Sequence, residues 1–219
     1  TCDARPVPMR DIPILSVTGE GTDLFERSVS APGGEAGDAI AELVARLGDV
    51  KIRKTIVSVP YGDASGAVAL YSINQREVLV FDPLDPEGRV TAEALVLVED
   101  LLRSATGGAK HEIAPALVRL LYAVALAHDG VIEISSGYRQ PGPGTKPTSY
   151  HTMGLAADVR HPYLPAKSIV DFAKAWGAGG VGYYPKSGVV HMDAREKPYY
   201  WIDYEDGSDE IVADMDGKL

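Results

Sequence analysis

A single cysteine, Cys2, is all that this 219-residue chain contains, so no intramolecular disulfide can staple its fold. Cysteine usage therefore says little about redox compartment. Cys2 stands where an exported lipoprotein carries its lipidated cysteine, but Thr1 ahead of it is not the small residue such a site shows. A disordered chain end is the plainer expectation. Excess positive charge is lacking too, since 21 Lys and Arg face 31 Asp and Glu for a net charge of -10. Phosphate backbones are held by clustered Lys and Arg, which excludes nucleic acid and anionic membrane as expected partners. No apolar run approaches a membrane span, and no charged-then-apolar leader is recognisable. Internal repeats and low-complexity tracts are also missing. What remains is an ordinary globular composition, 45% hydrophobic and 24% charged, sufficient to bury a core.

The stretch up to Gly34 carries Pro6, Pro8, Pro13, Pro32 and Gly33 without sustained periodicity. It reads as an irregular arm with one short strand over Ile14-Leu15-Ser16-Val17. Ile40, Leu43, Val44 and Leu47 fall at helical spacing and predict a helix from Asp38 to Leu47. Strands are expected over Thr55 to Val59, Val68 to Ile73 and Val78 to Phe81, the last two joined by the polar turn Asn74-Gln75-Arg76. Thr91 can cap a helix whose apolar face includes Leu95, Val98, Leu101 and Leu102. A second helix is expected from Ala114 to His128, with Pro115 in its first turn and Gly130 ending it. A strand over Val131 to Ser135, a Gly/Pro-rich loop from Gln140 to Pro147 and a strand near Ala156 to Val159 follow. A helix from Pro165 to Trp176 precedes strands at Val181 to Tyr184 and Val189 to Asp193, which flank the turn Pro185-Lys186-Ser187-Gly188. Helices and strands mix without regular alternation, which favours an α+β fold over a doubly wound sheet.

The chemistry concentrates in the last third. In Ser149-Tyr150-His151-Thr152-Met153-Gly154-Leu155-Ala156-Ala157-Asp158 an imidazole precedes a carboxylate by seven residues, with glycine and alanine between to permit a tight turn. Val189-Val190-His191-Met192-Asp193 alternates, so a strand here would put His191 and Asp193 on one face. Two imidazoles and a carboxylate make a three-ligand set for catalytic zinc, with the fourth position left to water. Of five histidines, only His151 and His191 have a nearby Asp in strand-like or small-residue surroundings. His128, beside Asp129, is expected at a helix end, solvated or capping. By spacing alone, solvated or hydrogen-bonded polar groups remain the alternative to a metal centre.

These residues, in order, resemble the zinc D-alanyl-D-alanine peptidases and murein endopeptidases, the superfamily that includes lysostaphin-like enzymes and the hedgehog domain. The resemblance rests on Ser149-x-His151-x-x-Gly154-x-Ala156-x-Asp158 followed by His191. Ser136-Gly137-Tyr138-Arg139 and Gly179-Gly180-Val181-Gly182-Tyr183-Tyr184 resemble the exported murein endopeptidase branch in particular. It spans about Leu70 to Asp203. It implies one zinc ion held by His151, Asp158 and His191, with Arg139 near it to stabilise an oxyanion or bind substrate. Ser149 would offer its hydroxyl to substrate, and Tyr184 is expected in the binding groove. Without the resemblance, Arg139 reads as a loop-end ion pair and Ser149 as a turn cap.

Two features depart from the pattern. No acidic residue lies between Asp171 and His191, where many relatives place a proton acceptor. Asp193 is then the candidate, as general base or as the acceptor that orients an imidazole. The loop between Arg139 and His151 is short, which either opens the groove for bulky murein or removes substrate contacts. Tyr183, Tyr184, Tyr199, Tyr200 and Trp201 could line that groove, though clustered aromatics near a strand more often pack in a core or rim. The expected fold is an α+β, hedgehog/D-Ala-D-Ala-peptidase-like zinc domain with a small antiparallel sheet on helices. It would occupy 66–219, with 1–65 as an N-terminal extension or small accessory module. The expected function is zinc-dependent hydrolysis of amide bonds in peptidoglycan stem peptides or cross-links, through a zinc-activated water. The protein would be exported, to periplasm, cell envelope or medium. A catalytically inactive zinc-containing module that binds cell wall or protein is the alternative, and no sequence feature specifies an oligomeric state.

Overall fold

The structure is a computed structural model that describes residues 15–18, 35–48, 51–59, 66–204 and 209–213. Cys2 and most of the proline-rich arm lie outside these residues. Among the described residues ten strands and four helices run in the order β1 (Leu15–Thr18), α1 (Glu35–Ala45), β2 (Lys54–Ser58), β3 (Val68–Ser72), β4 (Glu77–Phe81), α2 (Ala92–Leu101) and α3 (Pro115–Ala127). Then come β5 (Val131–Ser136), β6 (Ala156–Arg160), α4 (Ala166–Trp176), β7 (Gly180–Tyr184), β8 (Val189–Asp193), β9 (Tyr199–Asp203) and β10 (Asp209–Ala213). Local signals account for several boundaries. Thr91 caps α2 by accepting from the Ala94 N–H at 3.1 Å, and Pro115 opens α3. Gly177 ends α4 at φ 96, and the β3–β4 turn holds Arg76 at φ 57.

The α+β class holds, but the sheet is neither small nor antiparallel. All ten strands form one mixed sheet in the order β1-β2-β4-β3-β5-β6-β8-β7-β9-β10. The β2–β4, β3–β5 and β7–β9 pairs are parallel. A parallel neighbour requires a crossover from one end of the sheet to the other. Between β3 and β5 the return run is β4 itself, and α2 and α3 then carry the chain past β3 to β5, a long-range arrangement that strand periodicity alone does not report.

Alternation along the strands divides the core between two faces. On one, Leu117, Leu121 and Val124 of α3 and Ile169 of α4 pack on Leu70, Leu79, Ile132, Val159, Val190 and Met192. On the other, Ile40, Leu43, Val44 and Leu47 of α1 and its end cover Ala69, Tyr71, Val78, Val80 and Val131. Strands β3 and β4 are thus buried on both faces, which explains their unbroken apolar runs. The α1 cluster extends only to Val131 of β5. Beyond β5 that same face carries polar side chains from β6, β8, β7 and β9, and there the cleft lies. No helix among the described residues is long and apolar enough to cross a membrane.

Candidate metal centre

On this open face Asp158, His191, Gly182 and Trp201 stand in cross-strand register. The period of two carries Val190 and Met192 to the core and His191 and Asp193 to the cleft side. His151 comes from a single 3-10 turn, Tyr150–Met153, that ends on Gly154 at φ 67. The left-handed glycine lets the chain reverse directly into β6, bringing His151 over Asp158. The structure thus gathers His151, Asp158 and His191, all buried, and no other such group of three occurs among the described residues.

The geometry around the three decides what they can hold. His151 Nε2 is 3.2 Å from Asp158 Oδ1, His191 Nδ1 is 2.9 Å from the same oxygen, and the two nitrogens are 3.1 Å apart. The far nitrogens set the tautomers. His151 Nδ1–H donates to the Gly137 carbonyl at 2.7 Å, and His191 Nε2–H donates to Asp193 Oδ2 at 3.0 Å. A carbonyl and a carboxylate only accept, so each neutral ring turns its lone pair inward. Three acceptors then face one another at close range, which is unfavourable unless a cation sits among them. A tetrahedral zinc about 2.0–2.2 Å from each ligand separates ligand atoms by about 3.3 Å, close to the spacing here. The donor set fits one such ion. A proton can satisfy it in part: burial opposes charge on His191, but Asp158 and Asp193 outweigh burial and push the imidazole up. Burial likewise opposes ionisation of Asp158, yet His151 and His191 hold its carboxyl well below the usual range.

Arg139 is half-exposed at the cleft, bonded to Asp158 Oδ2 through one terminal nitrogen and to Ser136 Oγ through Nε at 2.7 Å. It therefore braces the candidate ligand from outside while part of its guanidinium faces the cleft. The cleft measures about 910 Å³ and is lined by Ser149 and Tyr184 as well. Ser149 occupies the N-cap position of the 3-10 turn but makes no side-chain cap bond. Burial raises the Tyr184 phenol, with a hydrogen bond from Trp201 opposing, so Tyr184 remains a proton donor at neutral pH. Asp193 differs from the rest. It is fully buried behind His191, and its oxygens also take Arg195 Nε at 2.8 and 3.0 Å and the Arg195 backbone N–H at 3.0 Å. Burial opposes its ionisation, but Arg195 and His191 hold its pKa at about 2. A carboxylate so placed orients an imidazole and does not reach the cleft floor.

Residues 63–197, more than half of the chain, match the family described as peptidoglycan L,D-endopeptidase MepK. The chain belongs to that family. Its sequence is 25% identical to the probable peptidoglycan L,D-endopeptidase MepK of Haemophilus influenzae over 151 residues, covering 59% of this chain and 81% of that one. It is 39% identical to the peptidoglycan L,D-endopeptidase MepK of Escherichia coli over 62 residues, 28% of this chain and only 34% of that protein. No solved structure matches.

Within this MepK-family chain, Arg195 is the cleft residue that sequence reasoning missed. Besides gripping Asp193, its guanidinium lies 4.2 Å from the Tyr150 ring centroid, 5.4 Å from Tyr199 and 5.7 Å from Trp201. The only signal was an Arg two residues after Asp193, which has no meaning until both side chains are placed. The aromatic cluster divides by strand alternation. Tyr183 and Tyr200 pack on the core, while Tyr184, Tyr199 and Trp201 line the cleft. Tyr199, Trp201 and Asp203 belong to β9, a strand not anticipated from the sequence. His128 is buried and caps α3, its Nδ1–H donating to the Val124 carbonyl at 2.7 Å, so capping replaces solvation. His161 is likewise structural, bonded to the His128 carbonyl and to the Tyr163 and Leu164 N–H groups.

The two cleft-side glycines of β7 make room for this arrangement. A Cβ on Gly180 would sit 2.1 Å from Asp193 Oδ2, and one on Gly182 would sit 2.3 Å from the Trp201 ring. Trp201 in turn lies 5.1 Å from the His191 ring. Gly182→Ala is expected to displace the indole and destabilise the chain by about 1–3 kcal/mol. Thermal melting and tryptophan emission check this; an unchanged emission maximum with wild-type melting would count against it.

Proposed function

We propose that this chain is an exported, zinc-dependent peptidase that hydrolyses amide bonds in peptidoglycan stem peptides or cross-links, with the L,D bond named by its relatives as the expected target. The observation that carries the reading is the inward-facing triad His151, Asp158 and His191, with both tautomers set from outside, at the floor of a large cleft. Those three residues would hold the zinc ion, which when bound supplies Lewis acidity toward water and the substrate carbonyl. Arg139 braces Asp158 and donates to the oxygen on which negative charge develops. Tyr184 and Ser149, which both line the cleft, offer hydroxyls to the peptide. Asp193, locked by Arg195, keeps His191 in the ligating tautomer and takes the orienting role in preference to that of general base. The family match over residues 63–197 supports a catalytic domain that begins near residue 66, which we read as extending to 219 with a hedgehog/D-Ala-D-Ala-peptidase type of fold. Pairing of β1 and β2 with the same sheet supports 1–65 as an extension of that domain.

Digestion of purified murein by zinc-loaded protein, with separation of the released muropeptides, tests the reading. New products that vanish on chelation are expected; zinc-replete protein that releases none would leave a binding module as the function. Arg139→Ala is expected to lower turnover by about 10²–10³-fold, as loss of an oxyanion donor does. Because Asp158 loses its outer partner as well, zinc affinity is expected to drop by about tenfold. Kinetics at saturating zinc, alongside competition with a chelator, separate the two effects.

A further inference from the structure

The metal cleft does not end at Arg139. A second cavity of about 400 Å³ adjoins it and shares Ser136, Arg139 and Thr145 with it as lining residues. Its outer wall is the segment after α2, including Ser104, Ala105 and Thr106, and its lip is Gln140 to Pro143. The wall is built and not incidental. The Tyr138 N–H donates to the Leu102 carbonyl at 2.8 Å, the Ser104 N–H to the Ala109 carbonyl at 2.8 Å, and Gln75 Nε2 to the Arg103 carbonyl at 3.0 Å. A Cβ on Gly137 would sit 2.6 Å from the Leu102 carbonyl oxygen, so the wall docks on β5 only because a glycine is there.

The charge of this cavity is opposite to that of the chain. None of its lining residues is acidic, and two, Arg103 and Arg139, are cationic, paired from behind with Glu77 and Asp158 respectively, in a protein of net charge -10. Behind it, Glu77 and Asp100 are shared by Arg53, Arg103, Lys54 and Lys110, so cations outnumber carboxylates in the cluster. Exposed peptide groups and polar side chains, among them Asn74, Thr106 and Gln140, provide hydrogen-bonding partners along its length.

We propose that this cavity is a second arm of the substrate groove, which binds a carboxylate-bearing peptide segment on the far side of the scissile amide from the main cleft. The inference rests on the peptidase reading above and adds to it a specificity. A peptidase acting at a chain end needs room on one side of the metal, whereas one acting within a cross-linked or extended peptide needs room on both. The short loop from Gln140 to Tyr150 then acts as the divider between the arms, since Gly144 to Lys146 face the main cleft and Gln140 to Pro143 face the second cavity.

Two exposed wall positions remote from the triad test the arm. Ala105→Trp fills it, and Thr106→Glu adds a negative charge to it. Titration of a purified cross-linked muropeptide into metal-free full-length chain reads binding whether or not the bond is cut, so failure of the arm and failure of the peptidase reading are distinguishable. Ala105→Trp is expected to weaken binding at least tenfold with unchanged zinc content and melting temperature. Thr106→Glu is expected to weaken binding at least fivefold, and to spare a muropeptide whose carboxylates have been amidated. Wild-type affinity in Ala105→Trp overturns the arm. Equal losses for charged and amidated muropeptides in Thr106→Glu overturn its preference for carboxylates.

Discussion

A His191→Ala chain is expected to purify nearly free of zinc and to release no detectable muropeptides. The loss removes one of three ligands, so the drop in affinity should exceed the about 10–100-fold that an outer partner costs. Metal analysis of protein purified without added zinc, beside the unaltered chain, checks it; equal zinc in both would remove His191 from the ligand set. A pH dependence accompanies this expectation. Without metal, His191 shares a proton with Asp158 and Asp193, and its folded-state pKa is raised. That contribution to stability is present below the ordinary imidazole pKa and is lost as pH rises through the raised value. Zinc requires the deprotonated ring, so its affinity moves the other way and rises with pH. The zinc-induced increase in melting temperature is therefore expected to grow from pH 5.5 to pH 8, roughly spanning imidazole titration. In His191→Ala that growth should shrink sharply.

The second large effect is expected from Asp193→Asn. The carboxylate is fully buried, accepts from His191 and anchors Arg195, whose side chain is itself only 16% exposed. An amide there leaves the guanidinium without its counter-charge and offers His191 a mixed donor and acceptor. Breaking such a pair costs about 3–5 kcal/mol when fully buried, and the cleft exposure of Arg195 places the expected loss near the lower end. Zinc affinity is expected to fall by about 10–100-fold. Sequence reasoning alone left open a proton-transferring Asp193, for which the variant would keep its zinc and its stability while losing turnover. Melting, chelator competition and kinetics on one preparation separate these outcomes, and the burial of Asp193 favours losses in all three.

The triad illustrates what could be read before the fold. His151 and Asp158 are close in sequence and linked by small residues, so their convergence is a local property. His191 and Asp193 share a face through the period of two alone. Helices α2 to α4 were legible for a similar reason, since caps, proline placement and apolar spacing all act within a turn or two. Arg195 was not legible, because its grip on Asp193 and its contacts with Tyr150, Tyr199 and Trp201 join three separate segments. Gly180 and Gly182 were visible as a motif, but their purpose required knowing which side chains lie over β7.

By itself, then, the sequence determined the α+β composition and most strand and helix positions, which depend on backbone periodicity and on contacts between near neighbours in the chain. It pointed to His151, Asp158 and His191 as candidate ligands only through the ordered motifs of a family resemblance, since spacing alone left a metal-free polar cluster open. Tertiary structure decided the rest: the mixed ten-stranded sheet, the face left uncovered beyond α1, the buried orienting place of Asp193 and the second cavity past Arg139. Each of these depends on strand order and on segments far apart in sequence meeting at one point. Only the folded chain sets such distances.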